Sequence, residues 1–313
     1  MGDLMPKINI GVTTYNGGGR LAWLLRSLAM RTPELRSGDA IITIVDDGSP
    51  DHSAIRAAVD GFPDLPIRCM LHEINRGISA GWNTATRAID APIDVLLNDD
   101  VIVSSDWLAP LVYVLEHSPD VGVVGQNWHA FLAGDVPGLL ATPASDVEVV
   151  PRDPVSKAQE PDRRIKFEDT WPGRVMAPTG QLFAFRREDF DAIGGFDEAY
   201  KSFFEEIDFG TAMAAKLKKI GVQTSWPFNY HLWSATFGQN PELQAGVRME
   251  SSRDHYRSKW QVPSSFSRGS EFDHTNPTHL GAVGDVEIGF LRKDGPWRGV
   301  LRQSGAFVDG EKI

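Results

Sequence analysis

An α/β fold with a mostly parallel, Rossmann-like central sheet flanked by helices is predicted for these 313 residues, on two observations. Short apolar strands alternate with amphipathic helices from residue 8 to about 117, and the connections between them are brief. Polar and acidic residues follow the strand ends, which is where open α/β sheets bind their ligands.

Ile8, Ile10 and Val12 alternate as a first strand that stops at Thr13-Thr14-Tyr15-Asn16. Gly17-Gly18-Gly19 leads into a helix carrying Leu21, Leu24, Leu25 and Leu28 on one face. Ile41 to Val45 is a second strand, ending at Asp46-Asp47-Gly48-Ser49, and a helix follows with Ile55, Ala58 and Val59 inward. Ile67 to Leu71 is the third strand. After Asn75-Arg76-Gly77 comes a helix with Ser79 as its expected cap. Ile93 to Leu97 forms the fourth strand, and it runs straight into Asn98-Asp99-Asp100. Right-handed crossovers would then bring Asn16, Asp46, Asp47, Arg76, Asp99 and Asp100 to one sheet edge.

Val121 to Gly125 reads as another strand, and from 127 to 174 the periodicity fails, as in a long binding loop. Pattern returns at Gly180 to Phe185, a strand, and at Arg187 to Ile193, a helix closed by Gly194-Gly195. Phe203-Phe204-Glu205-Glu206-Ile207-Asp208 opens a further helix. Val222 to Trp226 is predicted as an edge strand, Gln244 to Trp260 as a helix, and the Gly-rich tail as a hairpin or two.

The composition, 42% hydrophobic and 23% charged, is that of a globular chain. A net charge of −11 argues against non-specific attraction to nucleic acid or an anionic membrane. The lone Cys69 excludes an intramolecular disulfide and a cysteine zinc cluster, which fits a reducing compartment. Without a signal-peptide core or a transmembrane-length apolar run, a cytoplasmic protein is expected.

Side-by-side acids at the end of a buried strand repel one another unless a cation or hydrogen bonds hold them. Asn98-Asp99-Asp100 is therefore read either as a metal site in the crevice or as an exposed turn. A dinucleotide fold competes, because Gly17-Gly18-Gly19-Arg20-Leu21-Ala22 satisfies G-x-G-x-x-A and Asp46 stands where such folds place a ribose acid. Thr13-Thr14-Tyr15-Asn16 separates strand from glycines, however, and an NAD-dependent oxidoreductase leaves the acids at 98–100 and 205–206 without a role.

Val12 to Asn16, Val45 to Ser49, Asn75-Arg76-Gly77, Asn98-Asp99-Asp100, Gly194 to Glu198 and Glu205 to Asp208 come in an order that resembles the family 2 glycosyltransferases of GT-A fold, in their rhamnosyltransferase-like branch. The resemblance covers about residues 7 to 237. It implies a nucleotide-binding half to about 125, an acceptor half to about 240 and a C-terminal extension over 241–313. It also implies a metal-dependent, inverting transfer from a nucleotide sugar, UDP- or dTDP-linked, to an acceptor hydroxyl.

In that reading Asp46 or Asp47 meets the nucleobase, Thr14 and Asn16 wall the base pocket, and Arg76 reaches the diphosphate. Asn98-Asp99-Asp100 occupies the position of the D-x-D motif with its first acid replaced. Asp100 becomes the metal ligand, Asp99 touches sugar or ribose, and His231 is the second ligand candidate. Oxygen donors suit Mg²⁺ or Mn²⁺, and an imidazole tilts the choice to Mn²⁺. Glu206 aligns with the general base, and Glu205 or Asp208 are its substitutes. Trp128, Trp171 and Trp233 are candidate sugar-stacking rings or core; His274 and His279 have no partners to argue from. A nucleotidyltransferase, or a nucleotide-sugar-binding protein without turnover, would use the same edge. The acceptor stays open among glycan, lipid-linked carrier, protein and modified nucleic acid.

Overall fold

The computed structural model describes residues 5–130, 133–141, 172–232, 235–262, 283–303 and 307–313. In chain order the first half comprises β1 (Ile8–Thr14), α1 (Gly18–Arg31), α2 (Pro33–Ser37), β2 (Ala40–Asp46), α3 (Ser53–Asp60), β3 (Ile67–Leu71), α4 (Ile78–Ala88), β4 (Ile93–Asn98), β5 (Val101–Ile102), α5 (Leu108–His117) and β6 (Val121–Ala130). After these come α6 (Val136–Ala141), β7 (Gly173–Val175), β8 (Leu182–Arg186), α7 (Arg187–Ile193), α8 (Glu205–Ala212), β9 (Ile220–His231), α9 (Ala235–Gln239), α10 (Ala245–Trp260), β10 (Val286–Arg292), β11 (Gly295–Leu301) and β12 (Phe307–Lys312).

Nine strands form the central sheet, with β3-β2-β1-β4-β8-β6-β9-β5 as its path and β7 on β9. The pairings give β1, β2, β3, β4, β6 and β9 one direction, and β8, β5 and β7 the other. Antiparallel β8 beside β4 takes the place that a dinucleotide fold gives to a further parallel strand. The NAD-enzyme reading loses its topology there.

Both faces of the sheet are covered, which is why its strands alternate between two apolar cores rather than between core and water. Val95 and Leu97 of β4 and Leu182 and Ala184 of β8 face α1 and α5. Leu96, Phe183 and Phe185 face the other way, against Trp82, Phe190, Phe196 and Phe209. Asp94, an acid inside β4, is tolerated because Arg187 grips it with two contacts of 2.8 Å while Asn9 donates a third.

The tail forms a three-stranded antiparallel sheet, and Val286, Ile288, Phe290 and Leu301 join the first core beside α5. Predicted as an edge strand ending at Trp226, β9 is instead long and internal, carrying Asn229, Tyr230 and His231 between β6 and β5. Ser79 does not cap α4. That helix starts two residues earlier, after Gly77 at φ 92°, because the Gly77 N–H is held by Asp47 and the Ile78 N–H by the Lys201 carbonyl.

Candidate active site

Register brings the predicted residues to one level: Thr14 lies opposite Asp46, Asp46 opposite Leu71, and Thr13 opposite Asn98. The acids on this edge nevertheless have different surroundings.

Asp47 is buried and works inward. Its Oδ1 accepts from the Arg76 N–H at 2.9 Å and meets His72 Nδ1 at 2.7 Å, and its Oδ2 accepts from the Gly77 N–H at 2.8 Å. It therefore pins the turn that enters α4. Asp46 accepts from the Ser49 N–H and hydroxyl and also meets His52. Asn16, exposed and at φ 50°, donates its backbone N–H to the Ser49 hydroxyl oxygen and its side-chain amide to Asn240 Oδ1. The Arg76 guanidinium turns outward to Glu198 at 2.8 Å, so only its backbone belongs to the edge.

Asp99 is likewise engaged. Thr14 donates to its Oδ2 at 2.6 Å, and buried Arg20 holds both oxygens, at 3.1 and 3.2 Å. Gly17 has to be glycine here, since a Cβ would stand 1.9 Å from Asp99 Oδ2. The glycine run thus makes room for an internal ion pair. Burial pushes the Asp99 carboxyl up against the pull of Arg20.

Asp100 differs. Its Oδ1 lies 3.0 Å from His231 Nε2 as an ion-pair contact, and among the described residues neither Oδ1 nor the buried His231 Nδ1 has a hydrogen-bond partner. Burial opposes ionisation of Asp100, yet His231 beside it holds the carboxyl below its ordinary range. β5 pairs Val101 with His231 across β9, which is how residues 131 positions apart meet. Among the described residues no group of three or more His, Cys, Asp or Glu side chains converges on one point. Two ligands 3.0 Å apart nonetheless match neighbouring corners of an octahedron with bonds of about 2.1 Å, so the pair fits a hard cation whose other ligands come from elsewhere.

The third group stands at the start of α8. Phe203 and Phe204 are both left-handed, at φ 66° and 67°, a conformation costing about 1–3 kcal/mol per residue. Burial of Phe204 among Met176, Tyr200, Ile207 and Tyr256 holds it there. This kink sets where Glu205 and Glu206 stand. Each has a buried Oε2 without a hydrogen-bond partner. Burial pushes Glu206 up to about 7, and burial plus the Glu206 charge raises Glu205 well above the usual range. Asp208, one turn on, is fully used: Tyr200 and Trp260 donate to Oδ1 and Lys259 to Oδ2. Glu206 adjoins Gly180, where a Cβ would come 3.4 Å from its carboxyl carbon, and the Gln181 carbonyl accepts from the Asn98 N–H. The acid helix and the end of β4 are therefore separated by one short loop.

A family model described as glycosyl transferase family 2 matches residues 9–194, more than half of the chain. The chain belongs to that family. An N-acetylglucosaminyl-diphospho-decaprenol L-rhamnosyltransferase of Mycobacterium tuberculosis is 24% identical over 303 residues, covering 86% of this chain and 91% of that protein. Protein y4gI of Sinorhizobium fredii is 26% identical over 82% of this chain, which spans only 28% of that longer protein. The fold is shared with a Pyrobaculum calidifontis mannosyltransferase solved with GDP-Man and Mn²⁺, at TM-score 0.53 and 21% identity, over 74% of this chain and 59% of that one.

For a member of family 2, the motif residues at 14, 16, 46, 47, 98, 99 and 100 do share one edge, and His231 joins them. Arg20, which grips Asp99, lay unremarked inside the glycine motif, although a basic residue at an apolar helix face is a signal of burial with a partner. Gln239 and Asn240, which bond Arg20 and Asn16, have no local signal at all. Trp171, Trp233, His274, His279 and most of the 127–174 stretch lie outside the described residues. No helix of the described residues is long and apolar enough to cross a membrane.

Proposed function

We propose that this family 2 glycosyltransferase performs a metal-dependent, inverting transfer from a nucleotide sugar to an acceptor hydroxyl, with Glu206 as the base. One observation carries the reading. Among the predicted acids, Asp46, Asp47, Asp99 and Asp208 have both oxygens in side-chain or backbone contacts, whereas among the described residues Asp100, Glu205 and Glu206 keep a buried oxygen without a hydrogen-bond partner, and of these three only Asp100 has a basic group, His231, beside it. A carboxylate near pH 7 in its proton affinity is matched to taking a proton from an alcohol.

The donor lies along the edge from Asp46 and Asp47 to Asp100, with Thr14, Asn16 and Asn98 beside it. The Asn98 Oδ1, buried without a hydrogen bond, is available to a ribose or sugar hydroxyl, a role Asp99 could take only by releasing Arg20. Arg76 would likewise have to exchange Glu198 for a phosphate. Asp100 and His231 would hold Mn²⁺ or Mg²⁺, which neutralises the charge of a departing nucleoside diphosphate. The acceptor oxygen bonds to C1 of the sugar, the bond from C1 to the phosphate oxygen breaks with its electron pair leaving on the diphosphate, and the hydroxyl proton passes to Glu206. Burial and the Glu206 charge raise Glu205 as well, so the two carboxyls titrate together and the proton taken from the acceptor is held by the pair.

The rhamnosyltransferase relative, which this chain matches over most of its length, makes a rhamnosyl donor and a diphospho-polyprenol acceptor the first substrates to try. A thermal-shift panel of nucleotide sugars with and without Mn²⁺ identifies the donor by its stabilisation. With that donor, Glu206→Gln retains binding and loses transfer by about 10²–10⁴-fold. Turnover that survives the substitution removes Glu206 from the role.

A further inference from the structure

Two groups at the far end of the edge remain under-used once the acids are accounted for. Arg248 of α10 is half-buried, yet among the described residues the one hydrogen bond of its guanidinium is a long one, from Nη2 to Asn75 Oδ1 at 3.4 Å. Tyr15 is half-buried, and its ring packs against no other aromatic ring among the described residues. The guanidinium lies close enough to Asp47 and Tyr15 to feel both, while burial holds it below its ordinary range.

Position says what such a fork would meet. Asn75 follows β3, Asp47 follows β2 and Tyr15 follows β1, whereas Asp100 follows β4 on the other side of β1. Three strand spacings, about 14 Å, separate the β3 end from the β4 end. If the donor's phosphates lie by Asp100, as proposed above, its base lies by Tyr15, Asp47 and Arg248. α10 itself is secured at its other end, by Lys259 and Trp260 on Asp208 and by the Ser252 hydroxyl on the Ser202 carbonyl. Arg248 stands outside the region that the family model matches.

We propose that Arg248 reads the donor nucleobase, donating from its planar fork to a base carbonyl oxygen. Uracil, thymine and guanine present such an oxygen and adenine does not, so the residue would select against adenine nucleotides. The inference rests on the nucleotide-sugar reading, and the test separates the two. Calorimetric titration of the full chain with UDP, GDP and ADP in Mn²⁺ is expected to show UDP or GDP bound more tightly than ADP. Arg248→Gln should weaken the preferred nucleotide about tenfold or more and leave ADP unchanged, so that the preference collapses. Arg248→Lys, which donates without the fork, should recover part of it. Arg253→Gln, on the same helix, should bind as the wild type does, and an unchanged melting temperature without nucleotide confirms that Arg248→Gln folds. Equal losses for UDP, GDP and ADP would assign the guanidinium to phosphate and overturn base reading, as would no loss at all. A wild-type chain that binds none of the three, nor dTDP titrated in the same way, overturns the donor reading itself.

Discussion

Adjacent acids stand after β4 and at the start of α8, and individual carboxyls in these two runs meet burial in opposite ways. Asp99 is neutralised from within by Arg20 and Thr14, and Asp208 by Lys259, Tyr200 and Trp260. Glu205 and Glu206 receive no cation and no side-chain donor from the described residues, and their proton affinities rise instead. Partnered acids here hold loops and helices in place, while the Glu205 and Glu206 carboxyls are shifted toward their protonated forms. Type and position in the chain do not separate the two kinds, because both sit in acidic runs at element ends.

The largest expected effect tests the catalytic half of this contrast, namely the loss of transfer with retained donor binding in Glu206→Gln. Next comes the scaffold half. Asp99→Ala leaves the Arg20 guanidinium buried without its anion, a change costing about 3–5 kcal/mol. Urea unfolding should show it as a lower midpoint at unchanged slope, and a near-neutral result would place Asp99 outside the scaffold. Asp47→Ala, which frees two backbone N–H groups and His72, should cost about 1–3 kcal/mol and loosen nucleotide binding with it.

Acidity sharpens the comparison further. Transfer requires the ionised base, so its rate should rise with pH and level off above about 7, the proton affinity of Glu206. Stability should move the other way at the neighbouring residue. The Glu205 carboxyl is raised in the folded state above its ordinary 4.5, so the stability it contributes is complete below that value and is lost as pH climbs through the raised one. Glu205→Gln, which imitates the protonated acid, should therefore match the wild type near pH 4 and exceed it in melting temperature near pH 8. An advantage that appears in acid instead would reverse the assignment.

The smallest effect marks a limit of the contrast. Ser79 also buries a hydroxyl without a hydrogen-bond partner among the described residues, in the first turn of α4. Ser79→Ala should be neutral or stabilising by about 0.5 kcal/mol in the same unfolding assay, because alanine is the better helix former and no ligand is lost. An unpartnered polar atom is informative here only where several share a cleft.

Hydrophobic alternation and helical spacing are local properties of the chain. For that reason β1 to β4 and helices α1, α3, α4 and α5, the sheet edge on which residues 14, 16, 46, 47, 99 and 100 gather, and the resemblance to family 2 could be read without coordinates, whereas the short α2 and β5 could not. Which acids are neutralised depends on groups far away in sequence: Arg20 lies 79 residues from Asp99, and Trp260 lies 52 from Asp208. The long inner course of β9, the outward turn of Arg76 and the arrival of Arg248 beside Asn75 are of the same kind. Each follows from which surfaces meet once two cores close on one sheet, and a carboxylate's proton affinity is set by that enclosure rather than by its neighbours along the chain.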